Sequence, residues 1–250
     1  MAEDEPQGKP ADQAHWTRVA DDWIAWARSP DHDAFWAYRT ALADFIGGGD
    51  GEVLDVGCGE GRVSRLLGTL GYRVTAADAV TAMVAAAAAN GSAHRYAVAD
   101  IAALPFGDQR FDKVVAYNVL MDVADVPGGL REISRVMRPQ AELVVSLVHP
   151  FRDRGSFAGP APDAPFVMQG SYFGRERFEG REERDGLVMH FAGWSQPLEA
   201  YAAALEGAGL AITAIREPIP AAGDGAARWQ QWTRLPMFLW LKARPLVSPP

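Results

Sequence analysis

The stretch Val53-Leu54-Asp55-Val56-Gly57-Cys58-Gly59-Glu60-Gly61 runs from a short apolar β pattern into three glycines at alternate positions, and a helical pattern follows it. Glycine at such a junction lets the backbone turn sharply and approach a ligand closely above a helix N-terminus. The next strand pattern ends on an acid, Asp78, placed to hold an adenosine ribose by its two hydroxyls. A dinucleotide-binding turn requires G-x-G-x-x-G, and here the position of its third glycine is Arg62. Asp55, two residues before Gly57, would repel a pyrophosphate and welcome a cationic amino-acid ligand. The pattern therefore argues against a dinucleotide.

Outward from this junction, strands are expected at Val53–Val56, Tyr72–Ala77, His94–Ala99, Phe111–Tyr117 and Glu142–Val148. Helical segments near 60–70, 80–90 and 127–137 fall between most of them, the cadence of a parallel sheet covered on both faces. Upstream, Trp16, Val19, Trp23 and Trp26, then Phe35, Tyr38, Leu42 and Phe45, recur at helical spacing and predict two helices over 11–46 with a break at Ser29-Pro30. After His149-Pro150 the cadence fails. Residues 151–166 read as an ordered loop, and Tyr172–Phe178 with Leu187–Phe191 read as a hairpin with a charged tip, Glu179–Asp185, closed near Asp185-Gly186. A helix from Pro197 through Leu205, a strand over Leu210–Ile215, a last strand over Leu235–Lys242 and a tail from Leu246 to Pro250 complete the chain.

A chain of 250 residues with 48% hydrophobic and 22% charged content can bury a sizeable core without metal or disulfide staples. Cys58 is the single cysteine, which excludes an intramolecular disulfide and a cysteine-based zinc site and fits a cytoplasmic setting. No metal site is expected. The polar, acidic start and the lack of a long apolar run disfavour secretion and membrane insertion. A net charge of −8 repels a phosphate backbone, so nucleic acid is not an expected partner.

Taken together, these residues resemble the class I S-adenosylmethionine-dependent methyltransferases, in particular the branch acting on quinones and other small molecules. Leu54 to Gly61 carry the resemblance, followed in order by Asp78, Asp100, Leu104-Pro105-Phe106, Phe111-Asp112, Leu130-Arg131-Glu132 and Val136-Met137-Arg138-Pro139. The resemblance implies a Rossmann-like α/β fold. Its sheet would be doubly wound, mostly parallel and seven-stranded with the last strand antiparallel, with an N-terminal helical lid and a β-hairpin inserted after strand five. It divides the chain into a lid (1–46), a cofactor-binding core (47–149), a substrate cover (150–195) and the C-terminal part of the core (196–250). S-adenosylmethionine would be the cofactor. Asp55 would take its ammonium directly or through water, Gly57, Cys58 and Gly59 would lie under its methionine part, and Asp78 would hold the ribose. Ala79 and Met83 would flank the adenine, Asp100 and Ile101 would lie on its other side, and Tyr117 and Asn118 would face the sulfonium.

The acceptor would be a small, apolar or aromatic metabolite under a cover to which Trp23, Trp36, Tyr38, Met121 and Tyr172 contribute. Where the quinone branch commonly carries two histidines after strand four, this chain has Met121-Asp122. Candidate bases are then His149, at the carboxyl end of strand five, and His190, in the hairpin. Arg175, Arg177, Arg181 and Arg184, interleaved with glutamates, read as a solvated hairpin tip. A cyclisation or other non-methylating step in the same fold, or a tRNA or protein methyltransferase, are the competing functions, and a monomer or homodimer is expected.

Overall fold

The computed structural model describes residues 11–30, 32–221 and 226–246. Three helices come first, α1 (Ala11–Arg18), α2 (Ala20–Arg28) and α3 (Phe35–Ile46). The core then alternates β1 (Glu52–Val56), α4 (Arg62–Thr69), β2 (Arg73–Asp78), α5 (Thr81–Ala89), β3 (Arg95–Val98), β4 (Phe111–Tyr117), α6 (Val126–Val136) and β5 (Met137–Val148). Two antiparallel ribbons follow, β6 (Gly155–Phe157) with β7 (Phe166–Met168), and β8 (Glu176–Arg184) with β9 (Leu187–Ser195). The chain returns to the core through α7 (Leu198–Gly207), β10 (Leu210–Arg216), the short α8 (Ala226–Trp229) and β11 (Phe238–Pro245).

The main sheet has seven strands in the order β10-β11-β5-β4-β1-β2-β3. β1 to β5 pair in parallel, and β11 runs antiparallel to both β5 and β10. This is a Rossmann-like α/β fold, and the order reverses between β1 and β4, where open parallel sheets leave a crevice at their carboxyl ends. On one face Leu54, Val114, Ala116, Leu143 and Val145 pack against Leu130, Ile133 and Val136 of α6 and Tyr201 and Leu205 of α7. The other face packs Val53, Val115 and Val144 against Leu67 of α4 and an aromatic group made by Phe35 and Tyr38 of α3 with Phe238 and Trp240 of β11. α6 starts where the Asp125 carboxylate accepts the Gly128 N–H at 2.9 Å, with Pro127 in its first turn.

Several elements differ from the sequence reading. The first predicted helix is two, α1 and α2, because Val19 turns out of helical geometry (φ −101°, ψ 14°), although the Val19 and Trp23 N–H bonds carry on across the kink. β5 starts at Met137 rather than Glu142, its early pairing with Phe111 shifting register before Lys113 meets Glu142. The expected loop after residue 150 contains the β6–β7 ribbon. The expected charged tip is strand: β8 and β9 pair from Glu176↔Ser195 to Arg184↔Leu187, and only Asp185-Gly186 turns. Both turn residues have positive φ, 49° and 80°, the geometry whose twist suits a two-residue hairpin. One side of this two-stranded ribbon is wet, so its charges do not oppose pairing. β11 is displaced towards Pro245, and α8 was not foreseen. Of the expected tail, Leu246 donates its N–H to Gly209, and 247–250 lie outside the described residues. Among the described residues no helix is long and apolar enough to cross a membrane.

The sheet end opposite the crevice is closed by ion pairs. Glu52 meets Arg73, Arg95 and Arg110 at 3.1–3.2 Å, and Glu142 meets Lys113 at 2.9 Å, Lys242 at 3.0 Å and Arg244 at 3.3 Å. Lys113 is 9% exposed, and its ammonium also donates to the Ile46 carbonyl at 2.7 Å. Burial alone would push the Glu142 carboxyl up, but the bonds from Lys113 and Lys242 outweigh it and hold the group below its ordinary range. Such a group stabilises the fold above the ordinary carboxylate range, and that stability is lost as pH falls through its lowered folded value. Glu142→Gln is therefore expected to cost about 3 kcal/mol at neutral pH, or about 6–12 °C in melting temperature. The gap should narrow in acid, and an unchanged melting curve would remove Glu142 from the account of stability.

Candidate active site

At the carboxyl end of β1 the chain leaves the sheet through Gly57, whose N–H and that of Cys58 share the Ala77 carbonyl of β2 at 2.8 and 3.0 Å. Gly57 has φ +72°, and a Cβ there would lie 2.3 Å from the Val119 side chain. Gly61, the N-cap of α4, has φ +90°, and its Cβ would meet Ser92 at 2.5 Å. Neither position admits a side chain without moving a packed neighbour. Between them, Gly59 donates its N–H to Asp78 at 2.9 Å, and the second Asp78 oxygen accepts the Val80 N–H at 2.9 Å. Burial raises the Asp78 carboxyl, against the two N–H bonds that oppose it. The indole nitrogen of Trp23, from α2, stands over Gly59, 3.2 Å from where a Cβ would be.

This loop forms part of the wall of a cavity of about 1030 Å³. Gly57, Cys58, Gly59, Asp78, Ala79, Met83, Asp100, Ile101, Tyr117 and Asn118 all line it, together with Trp23 and Met121. Asn118 (φ 51°) is fixed by Ser146, whose hydroxyl donates to its side-chain oxygen at 2.7 Å and whose carbonyl accepts its N–H at 2.8 Å. Farther from the loop the wall is aromatic, with Trp16 and Trp26 from the N-terminal helices, Phe178 and Phe191 from the β8–β9 hairpin, and Phe157 and Phe166 from the β6–β7 ribbon. The Gln13 amide ties α1 to the core by donating to the Ala79 carbonyl at 2.7 Å.

Asp55 lies behind the wall. It is 1% exposed, Oδ2 accepts from the Ser64 hydroxyl at 2.5 Å, and Oδ1 is buried with no partner. Burial pushes its pKa up to about 7 despite Ser64. A second buried polar atom without a partner is the Tyr117 hydroxyl, on a cavity-lining residue. Burial likewise drives the Cys58 thiol well above its ordinary range, so it packs and does not react.

Five other expected residues are turned away from the cavity. Tyr38 is 1% exposed and meets Phe238 edge-on, and Trp36 donates its indole N–H to the Ala27 carbonyl. The Tyr172 hydroxyl accepts the Leu198 N–H. His149 packs on Phe151 with Nε2 3.1 Å from the exposed Glu217, and burial lowers its pKa although Glu217 opposes this. In β9, buried Met189 and half-buried Phe191 face the N-terminal helices, and strand alternation leaves His190 between them exposed on the other side.

Two further residues shape the site. Arg62, at the start of α4, lines the cavity with its guanidinium 4.8 Å from the Phe35 ring, 5.0 Å from Trp23 and 5.9 Å from Tyr117, and 2.7 Å from Asp33. A cation in the first turn of a helix is disfavoured by the helix dipole, which is the signal the sequence carried for it. Glu60, 1% exposed, is gripped by Arg65 at 2.7 and 3.0 Å and by Arg28 of α2 at 3.2 Å, joining the glycine loop to the covering helix.

A loop that could pass under an amino-acid tail, an acid that could take a ribose and apolar walls for a base fit an adenosyl sulfonium ligand, and the orphaned Asp55 oxygen behind Gly57 suits its ammonium. Comparison with known proteins agrees. Residues 54–145 match the family model described as "Methyltransferase domain". A malonyl-[acyl-carrier protein] O-methyltransferase of Serratia marcescens is 36% identical over 95 residues, 38% of this chain and 37% of that protein. A demethylmenaquinone methyltransferase of Mycobacterium sp. (strain JLS) is 36% identical over 113 residues, 45% of this chain and 48% of that protein. The chain thus spans less than half the length of these curated relatives. Among solved structures, an S-adenosylmethionine-dependent methyltransferase from Mesorhizobium loti superposes with TM-score 0.65 at 26% identity, covering 86% of this chain and 100% of that one. The [4+2]-cyclase SpnF shares the fold at TM-score 0.62 and 19% identity, covering 98% and 100%. Residues 54–145 accordingly match a methyltransferase domain, in a chain that shares its fold with an S-adenosylmethionine-dependent methyltransferase and whose N-terminal helices and inserted ribbons help to wall the cavity.

Proposed function

We propose that this chain transfers a methyl group from S-adenosylmethionine to a small, apolar or aromatic acceptor held in the same cavity. The observation that carries this reading is the continuity of the cavity: about 1030 Å³, bounded by the glycine loop and Asp78 on one side and by Trp16, Trp26, Phe178 and Phe191 on another. That volume is at the upper end for a single-ligand site and leaves room for an acceptor beside a cofactor. Bound there, the cofactor would supply a methyl group already activated by positive sulfur.

The residues of this chain would then align and desolvate. Asp78 keeps lone pairs free beside its two N–H bonds and would accept the ribose hydroxyls. Gly57 and Gly59 would let the backbone lie along the amino-acid tail. Asp55 with Ser64 would favour the ammonium end from behind the loop, and Arg62 would face the carboxylate end. Ala79, Met83 and Ile101 would sandwich the adenine, with Asp100 near its amine, and Tyr117 and Asn118 would face the sulfonium. Orientation of this kind is worth about 7–11 kcal/mol when the reacting atoms are well aligned. With ligands bound, the covering helices and hairpins would exclude water from the site. A buried thiol as the single cysteine suits a reducing, cytoplasmic setting.

Gain of one methyl group by an acceptor, read by mass spectrometry, tests the reaction, and an isomerised acceptor of unchanged mass would favour the cyclase-like reading that the SpnF fold suggests. Asp78→Asn is expected to weaken S-adenosylhomocysteine binding about 10–100-fold by calorimetry, and an unchanged affinity would take the ribose away from Asp78. Asp55 gives a pH signature. Its folded pKa of about 7 lies above its ordinary 3.8, so the empty fold loses stability from this group as pH rises through 7. A cationic ligand end relieves that cost, so cofactor affinity should rise between pH 6 and 8 and should do so less in Asp55→Asn. A slope identical in the variant would contradict the assignment.

A further inference from the structure

Asp122 ends the single helical turn, Leu120–Asp122, that follows β4, and its side chain lines the cavity. Every other lining acid has a partner. Asp12 takes Arg177 at 2.6 Å and the Trp194 indole N–H at 2.9 Å, Asp153 takes Arg152 at 2.9 Å, and Asp33 takes Arg62 at 2.7 Å. Glu60 is held by Arg65, Glu182 by Arg184 and Glu179 by Arg177, while Asp78, Asp100 and Asp125 accept backbone N–H groups. Among the described residues, Asp122 alone of this set has no counter-ion, and the donor that faces its carboxylate is the neutral indole N–H of Trp16. The nearby cation Arg175 is engaged elsewhere, donating to the Val123 carbonyl at 2.9 Å and stacked 4.1 Å from the Trp194 ring.

The surroundings are built to bring a ligand against that carboxylate. Gly193 of β9 abuts it so closely that a Cβ would come within 2.9 Å of both Asp122 Oδ1 and the Phe178 ring. The buried Trp16 indole faces Asp122 and is neutral, so it leaves the charge of the carboxylate unmatched, and the Tyr117 hydroxyl on the same cavity is buried without a partner. The titratable groups facing Asp122 are Asp12 from α1, Asp78 from β2, Asp153 from the turn after β5 and Tyr201 from α7. None of these supplies a positive charge. A lone carboxylate between aromatic faces is the environment that recognises an organic ammonium, by ion pairing and by cation–π attraction.

We propose that the methyl acceptor is a basic amine on an apolar or aromatic body, and that Asp122 holds its ammonium and takes its proton. This deepens the methyl-transfer reading and rests on it. The bound ammonium gives one proton to the Asp122 carboxylate, leaving a neutral amine and a carboxylic acid. The nitrogen lone pair then forms the N–C bond to the methyl group while the C–S bond breaks and its electron pair stays on sulfur. The product is a methylated ammonium, and the Asp122 proton leaves to solvent. Burial and the neighbouring carboxylates hold Asp122 well above the ordinary carboxylate range, which makes it a better proton acceptor than an ordinary carboxylate.

The test uses protein loaded with S-adenosylhomocysteine, so that cofactor binding is established first and its failure counts against the methyl-transfer reading instead. Benzylamine, 2-phenylethylamine and tryptamine are then titrated against the matching alcohols by calorimetry. The expected result is at least one amine binding about tenfold or more tightly than its alcohol, a preference that Asp122→Asn removes while S-adenosylhomocysteine affinity stays unchanged. No amine preference, or a preference that survives in the variant, overturns the proposal. A second readout needs no acceptor: relieved of an unpaired carboxylate, Asp122→Asn should melt about 2–4 °C higher than the parent at pH 8, with a smaller gap at pH 6. A variant that melts lower at both pH values would show that Asp122 is paired in the fold and would also overturn it.

Discussion

Two backbone N–H groups, those of Gly57 and Cys58, share the carbonyl oxygen of Ala77, and the next residue of that strand, Asp78, takes the N–H of Gly59 with its carboxylate. The rest of the site depends on this cross-link between the carboxyl ends of β1 and β2. It holds the loop against the sheet and aims Asp78 into the cavity. It is possible because Gly57 places no side chain in the space that Val119 fills. Parallel pairing of β1 with β2, in register from Glu52↔Arg73 to Val56↔Ala77, brings the two strand ends level.

Around this fixed floor α3 belongs to the sheet's own core, while α1, α2 and the hairpin are joined to it by polar contacts and by a small apolar cluster of Ala20, Trp16, Trp23 and Ile24 on Val80 and Met83. Glu60 binds Arg28, Arg62 binds Asp33 beneath three aromatic rings, and Asp12 of α1 reaches across to Arg177 and Trp194 of the hairpin. The apolar packing between α2 and β9 is a small cluster around Val19, Trp26 and Met189, separate from the two large layers on the sheet. A cover held this way can open at lower cost than the core, which suits a site that must admit and release ligands.

What the sequence made legible follows from how local the determinants are. The β1–glycine–α4 junction and the acid at the end of β2 are read directly, because strand, turn and helix are each set by residues a few positions apart. β4 spans Phe111–Tyr117, as its apolar run implies. The insertion was harder: β8 contains one large apolar residue, Phe178, so no alternation announces a nine-residue strand. Within the site, the loop residues line the cavity because the backbone alone places them. His149 and His190 do not, since their directions are set by the neighbours of β5 and β9, Phe151 and Glu217 in one case and Met189 and Phe191 in the other. Arg62 was visible only as a cation at the wrong helix end, and Asp122 only as an acid where histidine was expected.

The central claim is that one cavity holds an adenosyl cofactor on the glycine loop and an acceptor against its sulfur. A crystal structure of the chain with S-adenosylhomocysteine tests it most directly. The account predicts the ribose hydroxyls on the Asp78 carboxylate, the amino-acid tail over Gly57 and Gly59, and the sulfur facing the open space between Asn118 and Asp122. Density for the ligand elsewhere, or a sulfur turned away from that space, would contradict it.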